Sequence, residues 1–130
     1  MRLWPLEILH LLPRQQLLGQ HRECCALRGR GWGRKHATVN YVFNHPYYFL
    51  CRYHNEIMKE MQRRGYRVDE KWWCCLYRGK VLGYDYSINV IPMAVCAYCI
   101  YPEHNYQYLQ ECIKNLAKKG IIIERKVKTA

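Results

Sequence analysis

An arginine and a glutamate stand side by side at Arg22-Glu23, inside the run QQLLGQHRE at residues 15–23 of a 130-residue chain. A pair of this kind offers a carboxylate for proton transfer and a guanidinium that forks onto a phosphate. Two further groups extend that chemistry. The α-amine of Met1 has an ordinary pKa near ~8, so a useful share of it is neutral at physiological pH. A neutral amine can attack an electrophilic sugar carbon and form a Schiff base. Arg2 and Arg14 add cations on the N-terminal side. If the first helix packs beside the terminus, Met1, Arg2, Arg14, Arg22 and Glu23 become one set of nucleophile, phosphate grips and acid–base group. Taken alone, an Arg-Glu pair on a basic helix reads as surface charge.

The elements that must position this set are helices. Pro13 can open a helix over Arg14–Arg28, with Leu17, Leu18, His21, Cys24, Cys25 and Arg28 on one face and Gln15, Gly19 and Arg22 on another. Three glycines among basic residues, GRGWGRKH, end it. Pro46 opens a second helix whose apolar stripe is Tyr47, Leu50, His54, Ile57, Met58 and Met61, closed by Arg63, Arg64 and Gly65. A third is predicted over residues 105–119, with Tyr106, Leu109, Cys112, Ile113 and Leu116 inward and Gly120 as the stop. Residues 66–101 are rich in aromatic and β-branched side chains and read as a short hairpin or an irregular packed segment. The tail IIIERKVKTA reads as a short strand or a frayed end. The expected fold is mainly all-α, with three main helices in a single domain over residues 1–130.

Half of the residues are apolar, enough for a core, so disorder is not expected. The net charge is +11, from 21 Lys plus Arg against 10 Asp plus Glu. It is concentrated in residues 1–67, which hold 12 basic and 4 acidic side chains. A surface so basic attracts polyanions through counterion release, and its arginines favour nucleic acid. Eight cysteines include the adjacent pairs Cys24-Cys25 and Cys74-Cys75. Such pairs, without a secretory signal, argue against a disulfide framework. The N-terminal run is broken by Pro5, Glu7 and His10. The longest apolar stretch, residues 88–101, contains Asn89 and Pro92 and is shorter than the ~18–20 residues of a membrane span. The expectation is a reduced, cytoplasmic, nucleoid-associated protein with no membrane contact and no evident obligate protein partner.

Two other groups of residues carry chemistry. Cys96 and Cys99 form a CxxC with His104 nearby and Cys74-Cys75 upstream, a set that zinc could use. A lone CxxC is weak, and cysteine is commonly a small buried hydrophobe. Among the aromatics, Trp32 in its basic glycine-rich loop is the candidate to touch DNA, whereas Tyr47, Tyr53 and Trp72 or Trp73 read as packing. His21 reads as a satisfied core histidine, and His36 as either a loop anchor or a DNA contact.

Short segments follow one another along the chain: QQLLGQHRE, His36-Ala37-Thr38, Arg63-Arg64-Gly65-Tyr66, Tyr77-Arg78-Gly79, and Tyr101-Pro102 with His104, then Lys114 and Lys118 one turn apart. In content, order and spacing they resemble the phage-type pyrimidine-dimer DNA glycosylases, also called phage endonuclease V. The resemblance covers most of residues 1–79 and 100–119. It implies a bifunctional enzyme acting on damaged double-stranded DNA, a glycosylase with abasic-site lyase activity, requiring neither metal nor cofactor. It implies that Met1 supplies the amine and Glu23 the catalytic carboxylate, that Arg2 and Arg22 hold phosphates, and that Gln15 helps to position the lesion strand. Arg14, Arg34, Lys35, His36, Lys114 and Lys118 complete the expected DNA-binding set. Action on a base within a duplex also implies bending the DNA or flipping a nucleotide.

Four departures accompany the resemblance. Arg2 is too large for ordinary removal of Met1, which makes Met1 itself the nucleophile. An arginine that follows the Arg-Glu pair in the family is Ala26 here, with Arg28 as a substitute or not. The family's aromatic C-terminal segment is replaced by IIIERKVKTA, and residues 80–99 read as an insertion. Two rival readings are a non-catalytic basic nucleic-acid-binding protein of the same fold, and a zinc-stabilised interaction module over residues 74–104.

Overall fold

The computed structural model describes residues 2–35, 38–89 and 100–124. Among these, the regular structure is three α-helices, α1 Arg14–Arg28, α2 Tyr47–Arg63 and α3 Tyr106–Lys118, with 3-10 turns at Leu6–Leu11, Asn40–Asn44 and Glu70–Trp73. The all-α expectation holds, and all three predicted helices lie within a residue of their predicted bounds.

Pro13 precedes α1 at φ −58°, a geometry its ring pre-sets. The buried face of α1 is Leu17, Gln20, Cys24, Leu27 and Arg28. It packs on Leu50, Tyr53, Ile57 and Met61 of α2, and the seam continues into Leu109, Cys112 and Leu116 of α3. Leu3, Ile8, Leu9 and Leu12 from the N-terminal segment close one end of this core. The 3-10 turn there has no helical period and was not anticipated. Its role is to fold the chain back over α2, where Arg64 Nη2 donates to the Leu9 carbonyl at 3.1 Å. Gly65 ends α2 at φ +83°, which a side chain would strain, and Tyr66 N–H donates to the Met61 carbonyl at 2.9 Å.

α3 is capped by the Asn105 side chain, which accepts from Tyr108 N–H at 2.9 Å. One expectation fails here. Tyr106 points outward, 74% exposed. It lies on the flank of the Leu109–Cys112–Leu116 stripe, and the inward tyrosine is Tyr108, one turn before Cys112. Its hydroxyl donates to the Leu3 carbonyl at 2.8 Å.

Of the two options for the aromatic segment, the hairpin is realised. Tyr77 and Tyr84 form an antiparallel bridge, with Arg78 N–H donating to the Gly83 carbonyl at 2.8 Å and Asp85 N–H to Leu76 at 2.7 Å. Gly79, at φ +97°, permits the turn. The rest of the expected insertion, residues 90–99 with Cys96 and Cys99, lies outside the described residues. The first part of the tail, residues 121–124, has no regular structure, and Ile121 and Ile123 pack on the core.

His104 is buried and its Nε2 is hydrogen-bonded to the Tyr41 hydroxyl at 2.5 Å. Burial lowers its pKa from 6.5 to about 4 against the opposing pull of Glu103. The folded value lies below the unfolded one, so the unfolded chain binds the proton first. Stability is therefore complete above about pH 6.5 and is lost as pH falls toward 4, by about 3 kcal/mol from this group. Urea unfolding at pH 7, 5.5 and 4 should show the decline, and His104→Gln should flatten it. An equal decline in the variant would assign the effect to other groups.

Candidate active site

A glutamine on the buried face of α1 fixes the start of the chain. Gln20 Oε1 accepts from Trp4 N–H at 2.7 Å and from the Tyr53 hydroxyl at 2.9 Å. Its Nε2 donates to the Arg2 carbonyl at 3.2 Å. Tyr108 holds the Leu3 carbonyl between these two points. The Tyr53 hydroxyl also lies 2.5 Å from the Trp4 carbonyl, so one side chain from each α-helix meets the peptide groups of residues 2–4 and lays that segment along α1 at fixed register.

The result is an open cleft of about 300 Å³ between the N-terminal segment, α1 and α3. Arg2, Gln16, Gly19, Gln20 and Glu23 line it, with Trp4, Thr38, Asn115 and Lys119. The half-buried Arg2 guanidinium reaches Cys112 Sγ at 3.8 Å, and Lys119 Nζ stands 5.8 Å from the Trp4 ring centroid. A side chain at Gly19 would meet Arg22 Nη2 at 3.7 Å, so Arg22 lies back along α1 at the edge of the cleft. A carboxylate among three cationic side chains suits a phosphodiester ligand with one group to exchange protons.

The structure thus brings Arg2 and Glu23 together, as the sequence required, and sets Arg22 beside them. Lys114 and Lys118 are exposed on α3, each one residue before a cleft residue. Arg34 and Lys35 are exposed in the loop leading to Thr38. Arg14 and Gln15 are exposed at the opposite end of α1, Gln15 about 12 Å along the axis from Glu23. Arg14 stacks over Tyr66 at 5.3 Å rather than facing the cleft. Met1 and His36 lie outside the described residues. Gln16, Gln20, Asn115 and Lys119 were not anticipated. The signal for the first two was present, because residues 16, 19, 20 and 23 recur at i, i+3, i+4 and i+7.

Trp32, the aromatic candidate to touch DNA, also packs against neighbouring rings. It is half-buried, with Phe43 and Tyr47 edge-on at 5.1 and 5.0 Å. Arg28 does not substitute for the missing arginine at Ala26, because it is fully buried. Its Nη1 donates to His54 Nδ1 at 2.9 Å. That leaves the His54 proton on Nε2, 2.8 Å from His21 Nδ1, which accepts it. His21 is thus the satisfied histidine expected. Ligand atoms of His21, Cys25 and His54 lie within 4.8 Å of one another. In this tautomer, however, the lone pair of His54 faces Arg28, and a proton already joins the two rings. The His104 of the zinc reading is bound to Tyr41.

Comparison with known proteins adds one finding. The family model for pyrimidine dimer DNA glycosylase matches residues 1–73, more than half of the chain. The chain belongs to the pyrimidine dimer DNA glycosylase family. No curated protein and no solved structure matches it. The glycosylase match spans α1, α2 and the whole Gln20 clamp except Tyr108. The cleft residues of this glycosylase-family protein that lie beyond it are Asn115 and Lys119.

Gln20→Met keeps the bulk but leaves Trp4 N–H and the Arg2 carbonyl without a partner. The expected cost is about 2–4 kcal/mol, or roughly 7–15 °C in melting temperature. Gln20→Glu, which retains both acceptor bonds, should fall between. Thermal denaturation followed by circular dichroism measures both, and a Gln20→Met protein that melts with the wild type would remove the clamp from this account.

Proposed function

We propose that the protein is a DNA glycosylase with abasic-site lyase activity on pyrimidine dimers, using the α-amine of Met1 as nucleophile and Glu23 as the acid–base carboxylate. The neutral amine attacks the sugar carbon that carries the damaged base, and the base leaves as the new C–N bond forms. The nitrogen then gives up a proton, the bond from that carbon to the sugar-ring oxygen opens as the oxygen takes up a proton, and an iminium results. The iminium then acidifies the neighbouring sugar carbon, a carboxylate removes its proton, and the 3′ phosphate departs by β-elimination. Neither half requires a metal or an organic cofactor. Arg2 and Arg22 hold the phosphates on either side. Lys114, Lys118, Arg34 and Lys35 extend the basic surface along the duplex.

The observation that carries this reading is the cleft itself. The residue next to Met1 in the chain is held by its carbonyl on the same helix, and in the same cleft, as Glu23. Family membership supplies the substrate class.

Incubation with an abasic-site duplex and borohydride should trap a covalent adduct. Acetylation limited to Met1 should abolish trapping while binding persists. If trapping survives it, a lysine is the nucleophile and the assignment to Met1 is wrong. Glu23→Gln should keep or tighten DNA binding, because a carboxylate beside the phosphates loses its charge. Glycosylase turnover should fall by at least ~10²-fold, whereas a surface-charge role predicts turnover near that of the wild type.

A further inference from the structure

Among the described residues, exposed large apolar side chains concentrate between positions 81 and 86. Val81 is 68%, Leu82 46%, Tyr84 46% and Tyr86 81% exposed. Val81 and Leu82 form the tip of the hairpin, preceded by exposed Lys80. Soluble proteins seldom present neighbouring apolar side chains at a projecting turn without a partner for them.

The hairpin is held firmly. Arg78 Nε donates to the Arg28 carbonyl at 2.8 Å, its guanidinium lies 4.8 Å from the Tyr47 ring centroid, and its Nη1 pairs with Asp85 at 3.3 Å. The tip projects beside the end of α1. Ala26, Gly29, Trp72, Val81 and Leu82 line a cleft of about 380 Å³ there. The charged residues around it are Arg30, Arg78 and Lys80, with no carboxylate among the lining residues. Gly19, Glu23 and Ala26 follow one another along α1 at i, i+4 and i+7. Ala26, which also lines the hairpin cleft, therefore lies on the strip of α1 that holds Glu23, and three helical residues advance only about 4.5 Å.

We propose that residues 80–83 are a DNA wedge, in which Val81 and Leu82 press between base pairs beside the lesion while Lys80 and Arg30 hold the flanking phosphates. Apolar side chains inserted at a base step unstack it and kink the duplex, which opens access to a nucleotide. The cations fit the polyanion, and Ala26, about one helical turn from Glu23 and in the lining of the hairpin cleft, sets that cleft near the candidate active site. The wedge rests on the DNA reading given above and adds an element outside residues 1–73, the part that the family match covers.

The test uses the full chain and a duplex that carries a tetrahydrofuran abasic analogue with 2-aminopurine beside it. Wild-type binding should raise the 2-aminopurine fluorescence. The V81S/L82S variant should melt with the wild type, because neither side chain belongs to the core. It should bind at least about tenfold more weakly and lose the fluorescence rise. K80A/R30A should keep the rise but show a log–log salt slope shallower by about 2. Affinity and fluorescence in V81S/L82S equal to the wild type would overturn the wedge while the DNA reading stands. Failure of the wild type to bind the duplex would overturn both. If sedimentation shows a wild-type dimer that V81S/L82S dissolves, with the DNA response unchanged, the tip docks a second copy and the wedge is wrong.

Discussion

A buried guanidinium holds the molecule's centre. Arg28 has no exposed surface, yet each of its five N–H donors has an acceptor. Nε reaches the Tyr47 hydroxyl, Nη1 reaches His54 Nδ1 and the Trp72 carbonyl, and Nη2 reaches the carbonyls of Cys74 and Tyr77. Burying a cation is costly unless every donor is satisfied. The charge therefore dictates where three pieces of chain can go. It sets the start of α2 through Tyr47, the middle of α2 through His54, and the irregular stretch from Trp72 to Tyr77. Arg78 answers by donating to Arg28's own carbonyl, so the two arginines lock the hairpin to the end of α1.

Gln20 does the same work two turns earlier, with an uncharged amide in place of a charge. Both side chains leave the buried face of α1, and both bind backbone groups of segments without α-helical hydrogen bonds. An irregular segment can be buried only when its peptide groups find partners, and α1 supplies them at both ends. This division of labour frees the neighbouring strip of α1, Gln16, Gly19 and Glu23, to face the cleft. Gly19 keeps that strip low enough for the Arg22 guanidinium to lie across it.

What could be read in advance follows from these facts. α2 and α3 were legible because their apolar residues recur at helical spacing and a glycine stands just past each end. The pairing of Arg2 with Glu23 was legible through motif order, since nothing in either residue type announces the other. The roles of Gln20 and Arg28 were not legible. A glutamine inside a helix ordinarily faces solvent, and the acceptors that make Arg28 tolerable are mainly backbone carbonyls, which carry no side-chain signature. The packing of Trp32 was hidden for a related reason. Its loop is basic and glycine-rich, but Phe43 and Tyr47, which pack its ring, are distant in sequence and give no local sign. The turn at Leu6–Leu11 was missed because a 3-10 segment has neither helical nor strand period.

The three supports of residues 2–4 also set an order of assembly. Gln20 and Tyr53 are reached early in synthesis, but the Leu3 carbonyl waits for Tyr108 and the Arg2 guanidinium for Cys112, separated from them by 105 and 110 residues. Contacts of such sequence separation close late, because the intervening chain must be ordered first. On the ribosome, the two N-terminal helices can meet while the first residues still lack their last tether. Residues 2–4 are thus made before α3 yet secured only after it, and a chain interrupted before α3 carries residues 1–73, which the family model matches, without a finished cleft.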